Sequence, residues 1–117
     1  MKNFTQNNVD LIIHKDFSDI ISYRTTSLNI LVNIIDKSSK KNLVTESLSS
    51  LELIKQIELK GSKGLRMTSP VLRDGYLNIN VNFDHTLIEK NRQEMSITLE
   101  VKNTFIKKHI SFTYTKI

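Results

Sequence analysis

The sequence predicts an all-β fold, specifically an immunoglobulin-like antiparallel β-sandwich of about eight short strands. Three observations carry this prediction: apolar and polar residues alternate in several segments, short polar links separate these segments, and none has the period of a long helix. Many short strands with turn signals between them are typical of two packed antiparallel sheets. The 117 residues suit one domain, which the pattern assigns to residues 9–117.

The first half of the chain begins with a polar stretch, residues 1–8, which we interpret as an N-terminal extension compatible with disorder. Three aliphatic, β-branched runs follow, at residues 9–14, 19–23 and 28–35, and each predicts a strand. Residues 36–50 are predominantly polar and predict a loop.

Residues 51–59 fit both a helix and a strand, but the alternation of Leu53, Ile57 and Leu59 favours a strand. After it, residues 63–73 and 84–93 predict loops, the second with one helical turn.

The clearest strand signals lie in the second half of the chain. Asp74 and Gly75 form a turn signal just before a strand at residues 76–83. Two more strands are predicted at residues 95–101 and 106–114, joined by a short turn at residues 102–104. The inward-facing residues predicted for these three strands are Leu77, Ile79, Val81, Phe83, Met95, Ile97, Leu99, Val101, Ile110, Phe112 and Tyr114.

Composition and motifs exclude several functional classes. The chain has no cysteine, which excludes disulfides and thiolate metal sites and fits a cytosolic protein. No apolar run approaches the roughly 20 residues that span a bilayer, and the polar start is unlike a signal peptide. The usual nucleotide-binding and hydrolase motifs are missing, and the three histidines lie far apart in sequence. We therefore expect a binding module rather than an enzyme, without catalytic residues, metal or cofactor.

The formal net charge of +5 favours an anionic partner: nucleic acid, a membrane surface or an acidic peptide. Strand alternation places Lys107 and His109 on one face, and only one aromatic residue, Phe105, shares it, which argues against stacked RNA bases. A membrane surface would require a polybasic run or an amphipathic helix, and neither is present. An acidic peptide is therefore the favoured partner, and an RNA-binding sheet is a weaker alternative. Strict alternation turns Lys108 inward, so either its stem reaches water at the sandwich edge or a bulge shifts the register.

Two segments, read in order after a strand pair and a polar loop, resemble the ear (appendage) domain of gamma-adaptins and the GGA clathrin adaptors. They are residues 53–70 (LIKQIELKGSKGLRMTSP) and residues 97–114 (ITLEVKNTFIKKHISFTY). The first ends in Ser69 and Pro70, as the family's alternating strand does. In the second, Lys107, Lys108 and His109 are similar to the family's basic-x-basic pair, although the second arginine position here holds a histidine. The proline that precedes a lysine in the family is absent.

The resemblance implies a monomeric eight-stranded sandwich that binds short acidic peptides containing Phe or Trp. Such peptides belong to accessory proteins of clathrin-coated vesicles, so the implied setting is cytoplasmic, in vesicle transport at the trans-Golgi and endosomes. Contact with membranes would be indirect, through a parent adaptor, and no nucleic acid is expected. The peptide-binding residues implied are Lys60, Leu65, Met67, Pro70, Lys107 and His109. The alternative is a β-sandwich structural module of a phage or cell-surface assembly, in which the basic residues are merely solvated.

Overall fold

The computed structural model describes residues 9–46, 53–102 and 106–116. These ranges contain nine strands, one four-residue helical turn and one 3-10 turn. The strands are β1 (Val9–Lys15), β2 (Ile20–Ser22), β3 (Ser27–Asp36), β4 (Ile54–Lys60), β5 (Leu65–Met67), β6 (Val71–Arg73), β7 (Tyr76–Phe83), β8 (Arg92–Val101) and β9 (Lys107–Thr115). The helical turn α1 is Leu43–Glu46, and the 3-10 turn is His85–Leu87.

The strands form two sheets packed as a sandwich, which confirms the predicted all-β, immunoglobulin-like class. One sheet has the order β1-β3-β7-β5, with β6 also paired to β7, and the other has the order β2-β9-β8-β4. Every pairing is antiparallel except that of β2 with β9, which is parallel. The chain changes sheets between β1 and β2, so these two short edge strands close the same side of the sandwich.

The core lies between the sheets, because strand alternation points every second side chain inward. All of the inward-facing residues predicted on β7, β8 and β9 are buried, which confirms those predictions. From the opposite sheet, β3 contributes a second alternating row: Leu28, Ile30, Val32 and Ile34.

The expectation that residues 63–73 form a loop was wrong, because they contain β5 and β6, which both pair with β7. Each has only three residues, too few to show an alternation that a sequence reading can detect. They are strands because the long strand β7 offers them its edge, which is a tertiary effect.

The loop predictions at residues 84–93 and 36–50 are confirmed only in part. Residues 84–93 contain the predicted helical turn, capped by Asp84, whose Oδ1 accepts a hydrogen bond of 3.1 Å from the Thr86 N–H. However, β8 already begins at Arg92. Residues 36–50 contain α1, which the loop prediction missed, and α1 begins after Asn42, whose Oδ1 accepts from the Val44 N–H at 3.1 Å.

The strand predicted at residues 51–59 is confirmed as β4, with a register irregularity between Ile54 and Gln56. The predicted turn at Asp74 and Gly75 is also confirmed. Their φ angles of 53° and 80° are both positive, as a two-residue type I′ hairpin between β6 and β7 requires. The predicted extension at residues 1–8, residues 47–52 of the loop and strand predictions, and residues 103–104 of the predicted turn lie outside the described residues.

Candidate functional site

The outer face of the β2-β9-β8-β4 sheet, called here the charged face, carries three of the six residues implied by the resemblance. Antiparallel pairing arranges its side chains in rows across β9, β8 and β4. From one end of the sheet to the other, the rows are Lys107–Glu100–Gln56, His109–Thr98–Glu58, Ser111–Ser96–Lys60 and Thr113–Glu94.

One end of this face, called the basic end, gathers Lys55, Lys107, Lys108 and His109. Lys107 lies opposite Glu100 in the register, and the Lys55 Nζ lies 3.7 Å from the Glu100 Oε1. Two carboxylates share these rows: Glu100 lies opposite Lys107, and Glu58 lies in the row of His109. Since Glu58 is paired with Lys60, the three lysines outnumber the remaining carboxylate, Glu100, and an anionic ligand is favoured electrostatically.

Lys55 was missed by sequence reasoning because it falls at the register irregularity of β4, where simple alternation does not assign a face. Of the two explanations offered for Lys108, a stem that reaches water or a bulge in β9, the bulge is excluded. The pairing of β8 with β9 is continuous and sets Lys108 opposite Leu99, so no bulge shifts the register. Lys108 is nevertheless exposed, since a long stem carries its ammonium group past the sandwich edge into water.

The ring of His109 is oriented by its neighbour on β8. Its Nδ1 lies 2.8 Å from the Thr98 Oγ1, within hydrogen-bond distance, and the residue is exposed. Because Thr98 sits directly across from His109, this contact fixes a ring on the face beside Lys107 rather than leaving it to rotate.

A shallow groove of about 680 Å³ lies at the other end of the charged face. Ser96, Ser111 and Thr113 form its polar floor, and Lys60, Asp19 and Glu94 carry charges around it. The Lys60 Nζ is itself 3.1 Å from the Glu58 Oε1, so this end is mixed in charge rather than basic.

Gly61 allows β4 to leave the sheet close to β8 beside this groove. Its φ is +119°, and a Cβ at this position would lie 2.5 Å from the Glu94 carbonyl oxygen. The positive φ and the close approach explain why no larger residue suits the position.

The structure does not assemble the six implied residues into one groove. Lys60 and Lys107 share the charged face but lie about 17 Å apart, counted as two strand spacings and four residues. The other three belong to the opposite sheet or its links. Leu65 is 7% exposed in the core, Met67 packs against the core from β5, and Pro70 is half-buried between β5 and β6.

Ile20 provides an apolar contact that sequence reasoning missed. It is 56% exposed on β2, next to Thr113 at the edge of the groove, whereas its neighbour Ile21 is buried in the core. In the sequence, both residues belong to one apolar run. The alternation within the three-residue strand β2 places their side chains on opposite faces of the sheet.

The remaining polar clusters are explained by the fold. The His85 Nδ1 lies 2.6 Å from the Tyr114 hydroxyl, with the two rings stacked, and the His14 Nε2 lies 2.9 Å from the Asn33 Oδ1. Hydrogen bonds from Thr86, first that of its hydroxyl, hold the pKa of Asp84 below its ordinary value. Across residues 9–46, 53–102 and 106–116, no group of three or more His, Asp or Glu side chains is placed to hold a metal ion. Within the same ranges, no helix is long and apolar enough to cross a membrane.

No protein-family model matches the chain, and no curated protein matches it. The resemblance to adaptor ears therefore stays a prediction drawn from the order and spacing of residues.

Proposed function

We propose that this chain is a non-catalytic module that binds a short acidic peptide on its charged face. The observation that carries the proposal is the basic end, where Lys55 and Lys107 lie beside Glu100, with Lys108 and His109 next along β9. Lys55, Lys107 and Lys108 are exposed and reach a ligand without rearrangement of the sheet.

The geometry suggests how such a peptide lies. Its carboxylates meet Lys107 and Lys55, its backbone crosses the polar floor of Ser111 and Thr113, and its aromatic residue covers the exposed side chain of Ile20. Six residues of β9 separate the position of Lys107 from that beside Ile20, a span of about 20 Å. An extended peptide with about six residues between its aromatic residue and its acidic run fits this span.

The affinity follows from the exposure of these groups. An exposed ion pair contributes about 0 to 1 kcal/mol, so a few such pairs and one apolar contact give micromolar binding that weakens with salt. This is the range in which a recruiting module exchanges partners readily.

An NMR titration tests the proposal. A synthetic peptide with one Phe or Trp and an acidic run about six residues away should shift the amides of Lys107, Ser111 and Ile20. The same peptide with Asn and Gln in place of its acids is the ligand control. The Lys107→Glu variant should bind about fivefold more weakly, because it replaces an attraction with a repulsion. Lys37→Glu, with the same charge change in the loop after β3, should bind like the unmodified chain. Absence of shifts at about 1 mM peptide, or equal losses in the two variants, overturns the proposal.

The finer proposal is that the partners are accessory proteins of clathrin-coated vesicles, met in the cytoplasm at Golgi and endosome membranes. It is supported by the order of elements that resembles adaptor ears and by the basic residues of β9. Acidic peptides with a central Phe or Trp should bind more tightly than scrambled peptides of the same composition. Equal binding of both would leave an electrostatic module and remove the adaptor assignment.

The alternative, a structural module whose basic residues are solvated, is favoured by the ion pairs on the charged face. Lys60 with Glu58 at 3.1 Å and Lys55 with Glu100 at 3.7 Å already neutralise part of its charge. This alternative predicts that Lys107→Glu changes the binding of no peptide, which the same titration measures.

A further inference from the structure

The outer face of the β1-β3-β7-β5 sheet, called here the neutral face, differs from the charged face in its chemistry. Its outward positions hold mainly amides and apolar side chains, together with His14: Ile12, His14, Leu31, Asn33, Val71, Tyr76, Asn78 and Asn80. Arg73, Lys15 and Asp16 border the groove over Leu31 and Asn78. Two of the apolar residues are well exposed, Ile12 at 39% and Val71 at 58%.

Asparagine is unusual in strands, yet β7 has Asn78, Asn80 and Asn82 at three consecutive outward positions. A strand face that only meets water is ordinarily served by Thr, Lys or Glu, as the charged face of this molecule is. A centre of amides and exposed apolar residues with charged residues at its border is instead typical of a protein interface.

The amides also make this face complementary to itself. An amide carries both a donor and an acceptor, and a two-fold interface requires one patch to match its own copy. Asn80 donates from Nδ2 to the Asn29 Oδ1 at 2.8 Å. The Asn80 Oδ1 and the Asn29 Nδ2 form no hydrogen bond with another described residue, so one acceptor and one donor remain for a partner.

The charges at the rim have opposite signs on opposite sides. Asp10 and Asp16 lie on or just after β1, where Lys15 is paired with Asp19 at 3.0 Å, and Arg66 and Arg73 lie on β5 and β6 across the sheet. None of Asp10, Asp16, Arg66 and Arg73 forms an ion pair with another described residue. If two copies meet face to face about an axis parallel to β3 and β7, the β1 side of each copy lies over the β5 and β6 side of the other.

We propose that two copies of this chain pair through the neutral face about such an axis, forming a two-fold dimer in solution. The contact between an acidic side and the partner's basic side then occurs twice in the dimer, and the amide centre packs on its own copy. The proposal does not depend on peptide binding, because it uses the opposite sheet.

The size of the face sets the strength of the pairing. β1, β3, β7, β5 and β6 have 7, 10, 8, 3 and 3 residues, which at about 3.3 Å per residue and about 4.8 Å between strands cover about 500 Å² per copy, or about 1,000 Å² in total. That is the smallest area expected of a specific interface, so the dimer should form reversibly in the micromolar range.

Sedimentation equilibrium of the full chain tests the proposal by charge reversal. At about 100 µM the chain should sediment with close to twice its single-chain mass of 13.5 kDa. The pair Arg66→Glu with Arg73→Glu should be monomeric, and so should the pair Asp10→Arg with Asp16→Arg, because like charges now face each other. Mixed in equal amounts, these two variants should form a heterodimer, since every rim contact is again between opposite charges.

Controls separate a specific interface from a general effect of charge. Lys60→Glu with Arg92→Glu alters net charge as much as the first pair, but on the charged face, and should leave the dimer intact. Asn78→Arg puts a charge at the centre of the neutral face and should abolish pairing, with circular dichroism reporting that the variant is folded.

The proposal is overturned if the unmodified chain stays monomeric at about 1 mM, which is what the resemblance implies. It is also overturned if the two monomeric variants fail to associate when mixed. An equal loss of the dimer in the charged-face control overturns it as well.

Discussion

Tyr114 is the residue whose burial has the clearest chemical consequence. Its side chain is fully buried, and its hydroxyl lies 2.6 Å from the His85 Nδ1. Burial raises the pKa of this hydroxyl above its ordinary value of 10.0, because the phenolate would be poorly solvated in the core. The folded protein therefore holds this proton at a pH where the unfolded chain has released it.

This difference predicts a loss of stability in strong base. Below about pH 10 both states carry the proton and Tyr114 contributes its full share of stability. As the pH rises through the unfolded pKa toward the higher folded pKa, the unfolded state binds fewer protons than the native state, so the free energy of unfolding falls. Chemical denaturation at a series of pH values between 8 and 11 measures this fall in the free energy of unfolding.

Tyr114→Phe is the variant that isolates this effect. At pH 8 it should be less stable by about 1 kcal/mol, since the hydrogen bond to His85 is lost. The gap between the variant and the unmodified chain should narrow as the pH rises above 10, because only the unmodified chain has this hydroxyl to titrate. Tyr23→Phe, at a residue that is 43% exposed, is the control and should show no such convergence. A gap that stays constant with pH would contradict the assigned cause.

At the scale of elements, the β6–β7 hairpin depends on one two-residue turn. Asp74 and Gly75 have φ angles of 53° and 80°, and the Gly75 carbonyl accepts hydrogen bonds from the side chains of Asn33 and Asn42 at 3.0 and 2.8 Å. Those bonds tie the turn to β3 and to the residue that caps α1. The turn is therefore a junction of three elements rather than an isolated link.

Gly75→Ala should destabilise the protein by about 1 kcal/mol or more, because an alanine is strained at positive φ. The nearest atom to an added Cβ is 3.5 Å away, so the cost comes from the backbone conformation and not from a clash. Gly75→Asn is the matched variant, since asparagine tolerates this conformation better, and it should lose less stability. Urea denaturation measures both, and equal losses would show that space rather than φ decides.

The long strands and the short ones differed in how far the sequence could predict them. β7, β8 and β9 have eight to ten residues with regular alternation, so their faces and their buried residues followed from the sequence. β5 and β6 have three residues each and exist through their pairing with β7, which no local pattern reveals. The same limit applies to α1, whose only local signal is the capping residue Asn42.

The candidate site divides in the same way. Lys107 and His109 were placed on one outer face by the alternation of β9, and they do share it. Leu65 was assigned to a peptide socket, but its strand turns it toward Phe83 and the core. Lys55 and Ile20 depend on a register irregularity and on a three-residue edge strand, and both features arise only when the sheets assemble.

For the whole molecule, the division of the chain between the two sheets determines how it folds. The N-terminal strand β1 belongs to one sheet, and β2 a few residues later belongs to the other, where it pairs with the C-terminal strand β9. The buried row of β3 packs in the same core as the rows of β8 and β9, from the opposite sheet. Neither sheet buries its apolar face alone, so neither should persist without the other.

We therefore predict a single cooperative unfolding transition for the full chain. The midpoint in urea should coincide for far-ultraviolet circular dichroism, which reports the sheets, and for tyrosine fluorescence, to which the buried Tyr114 between the sheets contributes. Ile97→Ala on β8 and Ile30→Ala on β3 each empty a fully buried position and should lower both midpoints together, with a loss of about 2 to 5 kcal/mol. Folding should take milliseconds to seconds, because pairing β2 with β9 closes a loop of most of the chain. Separate midpoints for the two probes, or a variant on β3 that melts one sheet and spares the other, would mean that the two sheets are not one cooperative unit.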